Sequence, residues 1–131
     1  MTIAEVSRSC GLSADTLRYY ERIGLIPAVH RNRSGVRDYT EADCRWVEFI
    51  KCMRGAGVQI EALIEYVALF QEGDATNEAR RQILVEQRAL LLERLAELQQ
   101  TLDRLDGKIQ HYDSVLLPAQ HALIKSLEET N

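Results

Sequence analysis

Five arginines, Arg18, Arg22, Arg31, Arg33 and Arg37, fall within twenty residues that hold a single acid, Glu21, so this stretch carries a charge of +4. Guanidinium groups at that density suit one task in particular: displacing the counterions of a phosphate backbone and forming paired bonds to guanine edges. The whole chain of 131 residues has a net charge of −4, with residues 1–57 at +2 and residues 58–131 at −6. A basic segment on an acidic chain is the electrostatic footprint of nucleic-acid binding. Other reactive groups are sparse. Cys10, Cys44 and Cys52 form no CxxC pattern and are odd in number, which argues against a disulfide framework or a zinc knuckle. His111 and His121, without partner thiolates, make a poor site for copper, zinc or mercury, so no metal or other cofactor is expected. There is no phosphate-binding glycine loop, no carboxylate pair that can be placed in a pocket, and no nucleophile with a base and an orienting group; an enzyme is not expected.

The elements that must position these arginines are short helices. With 46% hydrophobic but only 6% aromatic residues, the chain favours helices and a coiled coil over a large globular core. No apolar run approaches the ~18 residues of a membrane span and the N-terminus lacks a leader pattern, so a soluble cytoplasmic protein with no membrane partner is expected. Thr2 and Glu5 form a capping box that starts a helix, which stops at Cys10-Gly11; Ser13 caps a second helix running to about Ile23. Two short helices joined by a glycine-containing turn make a helix-turn-helix. Pro27 and the turn Asn32-Arg33-Ser34-Gly35 predict a small basic β-hairpin with arms Ala28–Arg31 and Val36–Tyr39. Thr40 caps a third helix, Glu41 to about Arg54, whose spacing sets Trp46, Phe49, Ile50 and Met53 on one face; with Leu63, Trp46 and Phe49 read as core. A fourth helix spans about Ile60 to Gln71, and 71–78 reads as a linker.

From Leu84 the apolar spacing becomes strict, with Leu84, Leu91, Leu98, Leu105 and Tyr112 at every seventh residue, interleaved with Arg88, Leu95, Leu102 and Ile109. A repeat of 3.5 residues sustained over four heptads is a coiled-coil seam, which one helix cannot bury alone. Nothing else in the sequence is long enough to cover it, so the expected partner is a second copy in a C2 homodimer. Arg88 and Gly107 are the weak points of this helix, assigned to residues 79–113; Pro118 ends it, and 114–131 is a tail with a possible short helix.

The run Thr16-Leu17-Arg18-Tyr19-Tyr20-Glu21-Arg22-Ile23-Gly24-Leu25-Ile26-Pro27, followed by Arg33-Ser34-Gly35-Val36-Arg37-Asp38-Tyr39, strongly resembles the signature of the MerR family of bacterial transcription regulators. The resemblance extends from residue 1 to about 113. Phe49-Ile50-Lys51-Cys52-Met53-Arg54, with Gln71-Glu72-Gly73-Asp74, looks more narrowly like the aldehyde- and thiol-stress-responsive branch. Gln59 departs from the pattern, standing where the family has a better helix-capping residue such as Ser or Thr. The resemblance implies a mainly α fold: residues 1–70 a winged helix-turn-helix DNA-binding head, and the long helix an antiparallel dimeric coiled coil. It also implies binding to double-stranded promoter DNA, at an overlong pseudo-palindromic spacer. There the regulator bends and untwists the DNA for RNA polymerase in response to a small reactive effector. The bacterial nucleoid in the cytoplasm is the implied location. A metal- or oxidant-responsive member of the same family, and an architectural DNA-bending protein, are the alternatives.

Within this frame Thr16 and Arg18 belong to the recognition helix, where an arginine reads a base or holds a phosphate. Tyr19 and Tyr20 diverge by about 100° on a helix, so one packs and the other offers its hydroxyl to a phosphate. Arg31, Arg33 and Arg37 flank the turn and suit a DNA-facing wing, although a solvated charge run has the same composition. Tyr39 is divided between core and contact. Cys52 is the candidate sensor: Lys51 and Arg54 favour its thiolate while the negative end of the third helix disfavours it, and packing as a small hydrophobe is the competing role.

Overall fold

The computed structural model describes residues 1–130. Three helices begin where a hydroxyl can cap them. Thr2 accepts the Glu5 N–H at 3.1 Å at the start of α1 (Ile3–Cys10), and Ser13 accepts the Thr16 N–H at 3.1 Å at the start of α2 (Ala14–Ile23). At α3 (Glu41–Gly55) the box is reciprocal, Thr40 accepting from the Asp43 N–H at 3.1 Å and Asp43 from the Thr40 N–H at 2.9 Å. Each such cap contributes about 1 kcal/mol. Gln59 precedes α4 (Ile60–Glu72) without a side-chain cap bond, as its residue type predicts. The turn between α1 and α2 depends on Gly11 at φ 68°, a left-handed conformation that a side chain strains, and Lys51 donates to the Cys10 carbonyl at the negative end of α1.

The core of the head draws on every one of these helices. Val6, Leu17, Val47, Ile50 and Leu63, with Leu25, Ile26 and Tyr39 from the connecting segments, are each 2% exposed or less. On α3 the buried line is Val47 and Ile50, whereas Trp46, Phe49 and Met53 pack at its margin. Trp46 and Phe49 are therefore not interior residues as expected. They sit on the shoulder of the buried line, where with Tyr66 and Phe70 they make a half-exposed edge-to-face cluster, Trp46 to Phe70 at 4.9 Å and Trp46 to Phe49 at 6.1 Å.

Three expected boundaries shift for local reasons. The hairpin is reduced to one antiparallel bridge, Arg31 to Arg37, with no strand among the described residues. The Asn32 side chain closes the turn by accepting the Ser34 and Val36 N–H groups, and the Val29 N–H goes to the Glu21 carboxylate, so donors that would build a ladder are used by side chains. The linker is also shorter than 71–78: α4 runs to Glu72, and a 3-10 turn, Asp74–Thr76, leads directly into α5 (Asn77–His111). There Thr76 donates to the Leu69 and Gly73 carbonyls and accepts from Arg80. Finally, Pro118 does not end the helical stretch. A π-helical turn at Tyr112–Leu116, in which the Leu117 N–H reaches the Tyr112 carbonyl, joins α5 to α6 (Leu117–Thr130) without a break, and Pro118 follows that widened turn directly.

The chain forms two compact units, residues 1–91 and the segment from Leu92 onward. The first takes in about four turns of α5 and buries Ile83. Along α5 and into the π-helical turn, Leu84, Leu91, Leu95, Leu98, Leu102, Leu105, Ile109 and Tyr112 are 38% to 62% exposed in the single chain. No helix among the described residues is long and apolar enough to cross a membrane.

Tyr39 carries one anomaly: its hydroxyl is buried without a hydrogen-bond partner among the described residues. An unsatisfied buried hydroxyl costs about 1–3 kcal/mol. Tyr39→Phe is thus expected to leave the unfolding temperature unchanged or to raise it, while Tyr39→Ala lowers stability by about 3–5 kcal/mol; a clear drop for the Phe variant in thermal melts would show that the hydroxyl is satisfied in solution.

Candidate nucleic-acid interface

The ten residues of α2 divide into two faces. Leu17 and Tyr20 turn into the core, while Arg18, Tyr19 and Arg22 are exposed. Arg18 donates to Asp15 one turn earlier at 2.9 Å, an exposed pair that a phosphate or base edge can displace at little cost. Arg22 lies over the Tyr19 ring at 5.5 Å from its centroid. Thr16 shares its hydroxyl with the Ser13 cap at 2.9 Å. The divergence of the tyrosines is resolved: Tyr19 is 38% exposed and Tyr20 7%. Tyr20 therefore packs, and Tyr39, at 2% exposure, is core too, so neither ring stands on the exposed surface beside Arg18.

Beside α2 lies the loop from Pro27 to Tyr39. Arg31 donates to the Gly35 carbonyl at 2.9 Å, and Arg33 at the turn is exposed with no hydrogen bond or ion pair among the described residues. Arg37 differs from both. Its Nε donates to Glu21 Oε1 at 2.6 Å, with side-chain exposures of 23% and 14%, while Glu21 Oε2 accepts the Val29 N–H at 3.0 Å. Arg37 is thus committed to the protein, a role that its place in a charge run does not reveal. Glu21, which in the sequence only offsets the arginines, is the residue that joins α2 to the loop. Burial alone would push its carboxyl up, but the Arg37 guanidinium and the Val29 N–H outweigh burial and hold it below its ordinary value.

The three thiols occupy different surroundings. Cys10 is buried, and burial, with Glu48 beside it, pushes its thiol up to about 11; Cys44 is partly buried and is also pushed up, by burial first and then by Asp43. Cys52 is exposed. The cations flanking it in sequence point elsewhere, Lys51 to the Cys10 carbonyl and Arg54 to the Val58 carbonyl at 2.8 Å. Among the described residues no group of three or more His, Cys, Asp or Glu side chains is placed to hold a metal ion. Between the head and the start of α5 runs an apolar groove of about 290 Å³, whose walls include Phe49, Met53 and Tyr66 on one side and Leu84, Arg88 and Leu91 on the other.

A helix-turn-helix with an arginine-bearing second helix, an adjoining basic loop and a long helix with an exposed heptad stripe define a DNA-binding regulator of the helix-turn-helix class. The chain belongs to the MerR family of transcription regulators: residues 1–69 match the MerR HTH family regulatory protein model and residues 44–108 match the MerR, DNA binding model. It is 62% identical over 93 residues to the HTH-type transcriptional regulator AdhR of Bacillus subtilis, spanning 71% of this chain and 66% of that protein. A Listeria monocytogenes protein assigned to the same family superposes with a TM-score of 0.91 at 53% identity, covering 100% of this chain and 99% of that one. HiNmlR, a MerR family regulator lacking the sensor domain and bound to promoter DNA, matches with a TM-score of 0.79 at 30% identity over 88% of this chain and 92% of that one. The protein is a DNA-binding transcriptional regulator of the AdhR and NmlR-like branch, in a family whose members are regulators rather than enzymes.

The lowered Glu21 carboxyl makes stability depend on pH with a definite sign. A folded-state value below the ordinary 4.5 means that the contribution of the pair is complete above about that pH and is lost as pH falls through the lowered value. In urea titrations the protein is expected to exceed Glu21→Gln in stability at neutral pH, and the two curves to converge on acidification below about pH 4.5. A gap that stays constant down to about pH 3 would rule this out.

Proposed function

We propose that two copies pair through the α5 seam in antiparallel order and present two heads to a pseudo-palindromic promoter spacer, on the nucleoid in the bacterial cytoplasm. The observation that carries this reading is the heptad stripe, 38% to 62% exposed, on a chain whose basic helix-turn-helix surface is also exposed. Leu84, Arg88 and Leu91 are seam positions and also line the apolar groove beside the head, so a partner helix on the seam would lie along that groove as well. Thr16, Arg18 and Tyr19 would face the DNA from α2, with Arg31 and Arg33 from the wing. On a spacer that is too long, each added base pair displaces one polymerase recognition element by ~3.4 Å and rotates it by roughly 34°. Bending and untwisting restore alignment for RNA polymerase. Because bending a site of this length costs on the order of 1–6 kcal/mol, a modest change in dimer geometry switches transcription without releasing the DNA. The signal is an aldehyde or similar electrophile, and Cys52 is its target. Exposure supports this, since Cys52 is the exposed thiol while Cys10 and Cys44 are wholly or partly buried.

Transcription in vitro with purified dimer and polymerase tests the reading. Formaldehyde or methylglyoxal is expected to raise transcript while the protein stays bound, and Cys52→Ala to keep binding and lose the response. An undiminished response in that variant would make the thiol a packing residue; a clear footprint without any response would direct the search to oxidants or metals, and protection of many unrelated sites would favour an architectural protein. Leu98→Lys places charge in the seam and should abolish the dimer in sedimentation. Arg18→Ala is expected to lower specific affinity by about 1–3 kcal/mol, and Arg33→Ala to weaken binding evenly across sequences and reduce the salt slope.

A further inference from the structure

We propose that Glu21 is a positioning residue for DNA recognition: its carboxylate latches the wing to α2, so the one acid in the basic segment strengthens specific binding. Charge alone argues the reverse, because Glu21 is a negative group among five arginines, and its removal would take the segment from +4 to +5 and bring it closer to what phosphates attract. The geometry assigns it a different part. Both carboxylate oxygens are used, Oε1 on the Arg37 guanidinium at 2.6 Å and Oε2 on the Val29 N–H at 3.0 Å, so α2 is tied to both sides of the loop, eight and sixteen residues away in sequence. At 14% side-chain exposure the carboxylate is largely shielded, and such charge-assisted bonds are shorter and stronger than neutral ones.

The backbone does not hold the wing in this position by itself. Within the loop it makes one bridge, Arg31 to Arg37, and at the far end of the loop Tyr39 and Met1 exchange N–H to carbonyl bonds at 2.8 Å while the Met1 nitrogen also donates to Asp38 at 2.9 Å; neither contact reaches α2. The tip is closed on itself: Asn32 takes the Ser34 and Val36 N–H groups, and Arg31 donates to the Gly35 carbonyl. The wing is therefore a locally closed turn whose ends are anchored at Met1 and in the core, and the side-chain tie between it and α2, which helps fix the distance from Arg31 and Arg33 to Arg18 and Arg22, is made by Glu21. Specific binding needs both sets of arginines in register with one duplex, whereas nonspecific binding needs only their charge.

The inference rests on the reading that α2 and the wing face DNA, and Arg18→Ala measured in parallel separates the two. The full-length chain is titrated with a duplex carrying the footprinted promoter spacer and with a random-sequence duplex of equal length. Glu21→Gln is expected to lower affinity for the spacer about tenfold or more while affinity for the random duplex is unchanged or higher. Losses from Glu21→Ala and Arg37→Ala are expected to be non-additive, the double variant binding no worse than either single one. Equal gains on both duplexes would overturn the latch in favour of simple repulsion, and additive losses would overturn it by showing that Arg37 meets DNA independently. Should the single variants lose their helical signal, the charge-swapped Glu21→Arg, Arg37→Glu protein decides: recovered spacer affinity supports the latch, and failure to recover overturns it. If Arg18→Ala lowers spacer affinity and Glu21→Gln does not, the latch alone fails; if Arg18→Ala has no effect, the interface reading fails and takes the latch with it.

Discussion

Helices α1 and α2, of eight and ten residues, are too short to persist in water on their own, where even good helix formers need ~12–15 residues. Everything the head does therefore depends on the burial of Val6, Leu17 and Tyr20 against Val47, Ile50 and Leu63. The hydroxyl caps reinforce this packing but could not replace it, because a cap contributes about 1 kcal/mol and fixing a residue's backbone costs about as much. The consequence for function is direct. With one face of α2 spent on the core, the exposed face is set, and Arg18, Tyr19 and Arg22 fall on it.

A densely basic surface is a poor place for compact folding, since its cations repel one another. The head meets this conflict by using some charges internally and leaving others free. Glu21 and Arg37 are paired and mostly shielded, Lys51 and Arg54 cap backbone carbonyls, and Arg33 stays at the tip of the turn. Charge in this protein therefore takes two places that composition does not separate: holding segments together, and staying exposed where the proposed interface would use it.

The long helix poses the complementary problem. Its leucines are regular and exposed, so the single chain presents apolar surface that only another helix of matching pattern would cover. Under the proposed arrangement this requirement links assembly to regulation, because the two heads are carried by the same helices whose packing a signal would alter. The π-helical turn at Tyr112–Leu116 begins at the last heptad position, and the regular stripe therefore stops there rather than running into α6.

Local patterns were sufficient for the helix starts at Thr2, Ser13 and Thr40, the turn at Gly11, the heptad stripe from Leu84 and the family itself. Caps, left-handed glycines and heptads act through neighbours a few residues apart, so their effect is visible in the residues themselves. Other features involved partners distant in sequence. The spacing that places Tyr20 on α2 does not reveal that it packs, nor does the run Arg31–Arg37 distinguish the arginine that grips Glu21 from those that stay exposed. The same limit explains the aromatic cluster around Trp46, the engagement of Lys51 and Arg54 away from Cys52, and a hairpin whose ladder donors go to Asn32 and Glu21. Sequence by itself determined the four helices of the head and the long helix after them, where the positive charge lies and which family the chain belongs to. Tertiary structure alone decided which of those charges and rings are exposed, because that depends on which groups the fold brings together across the core.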